Sequence, residues 1–400
     1  MSKLVITRWE NKILTALLVS GKCRMLQLEQ EEEKRLLGNI YVGKVKNVVK
    51  NIGAAFIDLG NGQMGFYSLT ENTNHIFADA NHKIQNRQVK PGDELIVQVA
   101  KDAVKTKDPV LSCYLNFTGK YSVLTLGKTQ FGFSAKIKDA LWKEMIRTYL
   151  LPLKDDSFGI IVRTNAKEVS KEEIGEEILF LKERMQNLLS TAGCRTCYSV
   201  LFGSEPSYIL NLRDLYSKDL DSIVTDDKTC FDEMSHYLRE NQQEDLKKLE
   251  FYEDEMLSLL KLYSLETAME EATNRHVWLK SGGYLVIEPT EALTVIDVNT
   301  GKYSGKKNIE DTILKINLEA AVESARQIQL RNLSGIIIID FIDMSLIEHK
   351  EELLTRLEKE LSKDSIKTVL VEMTKLGLVE ITRKKIYKPL YEVLKYGKIN

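Results

Sequence analysis

A multi-subdomain α/β chain is the fold class this sequence predicts, and three observations predict it. Short stretches of alternating apolar and polar residues, punctuated by Gly and Pro-Gly, fill residues 3 to 119. Charged, helix-forming sequence fills most of 208 to 276, and strand-like and helix-like stretches take turns from 278 to 400. Four hundred residues, 43% of them hydrophobic, suffice for two or more cores.

The elements follow in order. "KLVITRWENKILTALLVSGKCRMLQLEQ", broken at "WENK" and "SGKC", reads as a three-stranded antiparallel meander over 3 to 30, and the acidic run "EEEKR" (31 to 35) as a solvated junction. "GNIYVGKVKNVV", "GAAFIDLG", "MGFYSL" and "PGDELIVQVA" then suit a small barrel up to about residue 119. From 120 to about 205, "YSVLTL", "FGIIVRT" and "YSVLF" predict strands. They accompany a long helix after Val169, where Ser170 and Glu173 have capping-box spacing. Residues 208 to 276 are predicted mostly helical, with their charges on a solvated face.

The last region reads as β-α-β-α-β. "GGYLVIE" and "ALTVID" precede a helix capped by Asn308, then come "GIIIID", a helix across "IEHKEELLTRLEKEL" and the strand "IKTVLVEM". A largely parallel sheet with right-handed crossovers is the expectation. The four isoleucines Ile336 to Ile339 predict a strand buried on both faces.

Composition narrows the function classes. Acids (58) and bases (56) nearly cancel, so a polyanion site has to come from local clusters. Arg8, Glu10 and Lys12 interrupt the N-terminus as no secretory leader would, and no run approaches the ~18 apolar residues of a membrane span, which makes a cytoplasmic location the expectation. The five cysteines are odd in number and scattered. "CRTC" (Cys194, Cys197) has metal-ligand spacing but no second pair to complete four ligands, so reduced thiols are expected.

Three constellations carry chemistry. "ALTVID" ends in Asp297 just as "GIIIID" ends in Asp340. Parallel strands joined by one crossover would bring both carboxylates to the carboxyl edge of the sheet, where open α/β folds bind ligands. Two such charges repel, and a divalent cation relieves them; Mg²⁺ suits one or two carboxylates plus phosphate, and Asn299 is spaced to orient a carboxylate or a water. In the barrel, Phe56, Phe66 and Tyr67 are bracketed by Lys44, Lys46, Lys50, Lys101, Lys105 and Lys107, the mixture that single-stranded nucleic acid needs. In "IIVRT", Arg163 and Thr164 offer a forked donor and a hydroxyl side by side, a cradle for a phosphate. Each also has a plainer reading: a helix cap or turn former for the acids, a core phenylalanine for Phe56, a chance dipeptide for Arg163 and Thr164.

Together these regions resemble the catalytic core of the bacterial ribonuclease E/G family. "GNIYVGKV", "AAFIDLG", "GFYSL", "IIVRT", "SGGYLVIEPTEALTVIDVNTG", "NLEAA" and "ARQIQLRNLSGIIIIDFIDM" carry the resemblance, which runs to about residue 385. It implies a ribonuclease-H-like subdomain from 1–35 and 208–278 and an OB-fold RNA-binding domain inserted at 36–119. A 5′-end-sensing subdomain at 120–207 and a catalytic deoxyribonuclease-I-like α/β subdomain at 279–400 complete it. By the same resemblance, Asp297 and Asp340 are metal-binding carboxylates supported by Asn299, Phe56, Phe66 and Lys107 hold RNA, and Arg163 with Thr164 recognises a 5′-monophosphate.

The implied activity is Mg²⁺-dependent hydrolysis of single-stranded RNA in RNA processing and decay (rRNA and mRNA), with Mn²⁺ as the alternative ion. The family's C-P-x-C motif, which joins two subunits through zinc, is missing, so neither structural zinc nor a zinc-linked dimer is expected, and homo-oligomers of other kinds are left open. Ala135 and Lys136 stand where the family often has two arginines, which weakens the expected phosphate pocket. Rival readings are an RNA-binding protein without cleavage and a phosphatase of small molecules. The second has no use for an aromatic, lysine-rich barrel.

Overall fold

The computed structural model describes residues 2–30, 36–78, 84–85, 87–102, 108–215, 220–301 and 309–396. The chain divides into two compact units, one made of 1–33 and 215–400 and the other of 34–214. The N-terminal meander is β1 (Ser2–Trp9), β2 (Lys12–Val19) and β3 (Lys22–Gln30), all antiparallel. Ser20 and Gly21, both at positive φ (50° and 77°), close its second hairpin as a two-residue turn of that kind requires.

The second unit opens with β4 (Ile40–Val49), β5 (Ala54–Asp58) and β6 (Met64–Ser68). The short pair β7 (His75–Ile76) and β8 (Ile84–Gln85), then β9 (Glu94–Lys101) and β10 (Val110–Ser112), follow. The order β4-β5-β6-β10-β9, with β9 returning to β4, closes a five-stranded barrel filled by Val45, Ile57, Tyr67, Val97 and Leu111. The chain next builds a four-stranded sheet, β11-β12-β14-β13, from β11 (Asn116–Thr118), β12 (Ser122–Leu126), β13 (Phe131–Phe133) and β14 (Phe158–Val162). Helices α1 (Ala140–Leu150) and α2 (Lys171–Ala192) share a core with that sheet. The expected capping box is present: Ser170 Oγ accepts from the Glu173 amide, and the Glu173 carboxylate accepts from the Ser170 amide. β15 (Val200–Phe202) adds to β4, and α3 (Ser207–Asp214) ends the unit.

Residues 208–276 are less helical than expected. Besides α4 (Lys228–Asn241), α5 (Leu259–Leu262) and α6 (Leu265–Thr273), they supply β16 (Ser222–Thr225) and β17 (Leu249–Phe251). β16 is fully buried and pairs in parallel with β1, more than two hundred residues away in sequence. So short a strand, selected by a distant partner, leaves no periodicity to read.

The last region is β18 (His276–Trp278), β19 (Tyr284–Pro289), β20 (Leu293–Asn299), α7 (Ile309–Leu330), β21 (Gly335–Asp340), α8 (Ile347–Leu361), β22 (Thr368–Met373), β23 (Leu378–Arg383) and α9 (Leu390–Tyr396). Asn308, expected to cap α7, lies outside the described residues. The sheet order is β18-β19-β20-β21-β23-β22, and the expectation of a largely parallel sheet is corrected: only β20 and β21 run parallel. Two tight turns are the reason. Thr290 closes on Leu293 and Gly377 on Thr374, and connections that short permit only antiparallel neighbours.

The isoleucine run, expected to be buried on both faces, is buried on one. Ile337 and Ile339 are fully buried under α7 and α8, each worth ~1.5–3 kcal/mol of burial. Ile336, by contrast, is half exposed, as is Val371 of β22. Both helices cover one face, and on the other, more open face the described residues are half-buried or exposed. All five cysteines are free thiols, and no described helix is long and apolar enough to cross a membrane.

Candidate functional site

The parallel pair β20 and β21 is in register from Leu293 with Ile336 to Asp297 with Asp340. The two carboxylates therefore end neighbouring strands side by side, as the sequence pattern implied. Val298 is buried on the helical side, so Asp297 and Asn299 share the open face, where Asn299 Nδ2 donates to Asp297 Oδ2 at 2.7 Å. That bond fixes one oxygen and leaves the other available. Partial burial pushes the Asp340 carboxyl up from its ordinary range, and the charges of Asp297 and Asp343 push it further.

Like charges held this close call for a cation, and the donor set fits Mg²⁺, a hard ion that takes one or two carboxylates and keeps several waters. Among the described residues, no group of three or more His, Cys, Asp or Glu side chains is arranged to hold a metal. The acids here are a pair, so for an ion held there the remaining ligands would have to come from water or a substrate oxygen.

Two residues that the sequence pattern passed over hold this edge together. Asn317 of α7, fully buried, donates from Nδ2 to the Ile342 carbonyl at 2.8 Å and accepts from the Ile342 amide at 3.1 Å, which pins the loop just after Asp340. Two residues on, Glu319 accepts from the Lys280 and Ser281 amides at 2.7 and 3.0 Å and pins the loop before β19. An amide and an acid within "INLEAA", among residues that otherwise pack the core, were the signal available. Beyond Asn299, Gly301 sits at φ 61°, where a Cβ would collide with the Gly282 carbonyl oxygen.

In the second unit, Phe56 and Phe66 are register partners on β5 and β6, their rings 6.0 Å apart and edge to face. Both are half-buried on the outside of the barrel. Lys46 reaches Asp58, two residues from Phe56, at 3.4 Å. Tyr67 departs from the expectation. It is fully buried inside the barrel with its hydroxyl on His75 Nδ1 at 2.7 Å, because successive strand residues face opposite ways. Lys105 and Lys107 lie outside the described residues.

Arg163 follows β14 and is already engaged. Its Nη1 donates to the Gly119 carbonyl at 2.6 Å and its Nη2 to Asp214 Oδ1 at 2.7 Å, while Arg213 Nε donates to the same oxygen at 2.9 Å. Burial alone would raise the Asp214 carboxyl; the two guanidinium charges outweigh it and hold that carboxyl below the usual range. Thr164 donates its hydroxyl to Ser134 Oγ at 3.0 Å, and the exposed Ala135 and Lys136 come next in the chain. Asp214 and Ser134 had no sequence signal, since each meets Arg163 or Thr164 only through the fold. Nearby, Glu177 accepts the amides of Lys120, Tyr121 and Ser122.

Residues 116–386 match the family described as "Ribonuclease E/G family", and residues 36–114 match "S1 RNA binding domain". Ribonuclease G of Haemophilus influenzae is 34% identical over 391 residues, covering 96% of this chain and 79% of the relative. Ribonuclease G of Escherichia coli K12 is 32% identical over 400 residues, with 98% and 82% covered. Ribonuclease E of Synechocystis is 33% identical over 377 residues, 94% of this chain and 56% of that longer protein.

Proposed function

The chain belongs to the ribonuclease E/G family, and from that premise we propose that it is a cytoplasmic endoribonuclease that hydrolyses single-stranded RNA with Mg²⁺, favouring 5′-monophosphorylated substrates. The single observation that carries the reading is the register of Asp297 with Asp340, buttressed by Asn299, on the open face of a sheet. Asp297 and Asp340 would hold the ion. When bound, it supplies a Lewis acid that neutralises charge on a phosphodiester and makes water nucleophilic at neutral pH.

The protein's own groups do the rest. Asn299 holds Asp297 in one orientation, and Asn317 and Glu319 keep the two flanking loops from drifting away from the carboxylates. Phe56 and Phe66 offer rings on which bases stack irrespective of sequence, which suits an S1 domain. Arg163 keeps Nε and one hydrogen on each terminal nitrogen without a protein partner among the described residues. It can therefore meet a 5′-phosphate beside Thr164 while still bonded to Asp214. Binding a phosphate away from the cut adds orientation at the cut. In this reading, 1–35 with 208–278 form the ribonuclease-H-like part, 120–207 the 5′ sensor and 279–400 the deoxyribonuclease-I-like part.

The test is cleavage of a short fluorescent single-stranded RNA bearing a 5′-monophosphate or a 5′-hydroxyl, with Mg²⁺ or chelator, by the wild-type protein and by Asp340→Asn. Cutting that needs the ion, vanishes in the variant and is faster on the monophosphate supports the whole reading. Binding without cutting would leave an RNA-binding protein whose carboxylates are structural.

A further inference from the structure

β18 is the edge strand of the C-terminal sheet, and its sequence alternates His276, Val277, Trp278. Val277 is buried towards the helices, which turns His276 and Trp278 to the open face. Trp278 is 71% exposed, a large apolar area for a residue on a sheet. Tyr284 of β19, its register partner, lies half-buried between the two, with its ring 5.1 Å from Trp278 and 5.8 Å from His276. The indole thus meets a tyrosine ring at a tilt of 53° and is otherwise largely exposed.

The register places this aromatic row. Trp278 pairs with Tyr284 and Tyr284 with Asn299, while His276 pairs with Val286, Val286 with Asp297 and Asp297 with Asp340. Directly paired residues share a face, so the rings and the carboxylates lie on one surface, with Trp278 two strand spacings, ~10 Å, from Asn299. Resting on the reading of Asp297 and Asp340 as the site of phosphodiester hydrolysis, we infer that Trp278 and Tyr284 form a stacking shelf for a nucleobase of single-stranded RNA next to the scissile phosphate. An indole beside a second ring binds any base face without reading its edges, so the shelf contributes affinity and position, with little sequence preference. A folded protein partner would also fit an exposed indole, but the proposed hydrolytic site beside it favours a phosphate-bearing chain, whose charge a cation on Asp297 and Asp340 would meet.

The experiment uses the full chain carrying Asp340→Asn, so that RNA is bound without turnover, and titrates it with a short single-stranded RNA while following tryptophan emission. The chain has three tryptophans. Quenching is expected in this parent and lost in Trp278→Phe, which keeps a ring and keeps most of the affinity. Trp278→Ala is expected to bind about tenfold more weakly, within the range for removing one base-stacking ring. In the otherwise wild-type protein, an abasic site next to the cleaved bond should erase the difference between Trp278→Ala and wild type in KM.

Unchanged RNA affinity and no quenching assigned to Trp278 would overturn the shelf, and so would a change of oligomeric state at unchanged affinity, which would give the face to a second copy of the chain. Wild-type protein that shows the Trp278-dependent quench yet never cuts RNA would sink the hydrolytic reading and leave the shelf standing.

Discussion

Asp297 and Asp340 face each other across the only parallel pairing of a six-stranded sheet, one at the end of β20 and the other at the end of β21. Asn299 acts on this pair through a single bond, to Asp297 Oδ2. Its loss should therefore be milder than loss of either acid. Asp297→Asn is expected to lower kcat by at least about a hundredfold, the order for several kcal/mol of lost charge stabilisation. Asn299→Ala should cost about tenfold, a single hydrogen bond to a charged group. Single-turnover cleavage at saturating Mg²⁺ measures both, and equal losses would contradict the assigned roles.

Arg163 is shared between the Gly119 carbonyl and Asp214. Arg163→Ala is expected to abolish the advantage of monophosphorylated RNA while leaving cleavage of 5′-hydroxyl RNA within about twofold, since uniform loss would mean the residue acts elsewhere. Arg163→Lys should recover little of it, because an ammonium lacks the fork. The ratio of kcat/KM for the two RNA ends is the readout.

The same ion pair makes a prediction about pH. Asp214 has its folded-state carboxyl depressed, below the unfolded value near 3.9. Its contribution is present above that value and is lost as pH falls through the folded one. In the acid window below about pH 4, wild-type protein is expected to lose urea stability more steeply than Asp214→Asn as pH falls, with a constant gap between the two curves above that window. Parallel curves across it would show that the pair carries no linkage.

Arg383 and Asp364 are each 4% exposed at the side chain, with Arg383 Nε donating to Asp364 Oδ2 at 2.7 Å and Nη1 donating to Asn332 Oδ1 and the Leu333 carbonyl. Asp364→Asn should destabilise the C-terminal sheet by about 3 kcal/mol, because it leaves a buried cation uncompensated. Asp364→Leu with Arg383→Met should recover most of that loss in urea denaturation. A double variant as unstable as the single one would show that the pair's other hydrogen bonds, and not its charge, hold the site.

Much of the fold was legible because it is local. Alternation over 3–30, broken at "WENK" and "SGKC", marked the meander, Ser170 and Glu173 marked the start of α2, and "IEHKEELLTRLEKEL" marked α8. Pairing partners were not legible. "SIVT" becomes β16 only because β1 is there to receive it, and two tight turns converted an expected parallel sheet into a mostly antiparallel one. The isoleucine run misled for the same reason: hydrophobicity alone does not say how many faces of a strand are covered.

What the sequence by itself determined is chemical identity at intervals: acids at 297 and 340 closing apolar strands, aromatics at 56 and 66, an arginine and a threonine after "IIV". Side-chain type and strand period travel with the chain, so they can be read from it. The tertiary structure decided which groups meet: Asp297 with Asp340 in register, Asp214 on Arg163, Asn317 on the loop after Asp340, and Trp278 on the open face with the carboxylates. Those meetings depend on register and on which face of each element is covered, and both are set by packing between segments far apart in sequence.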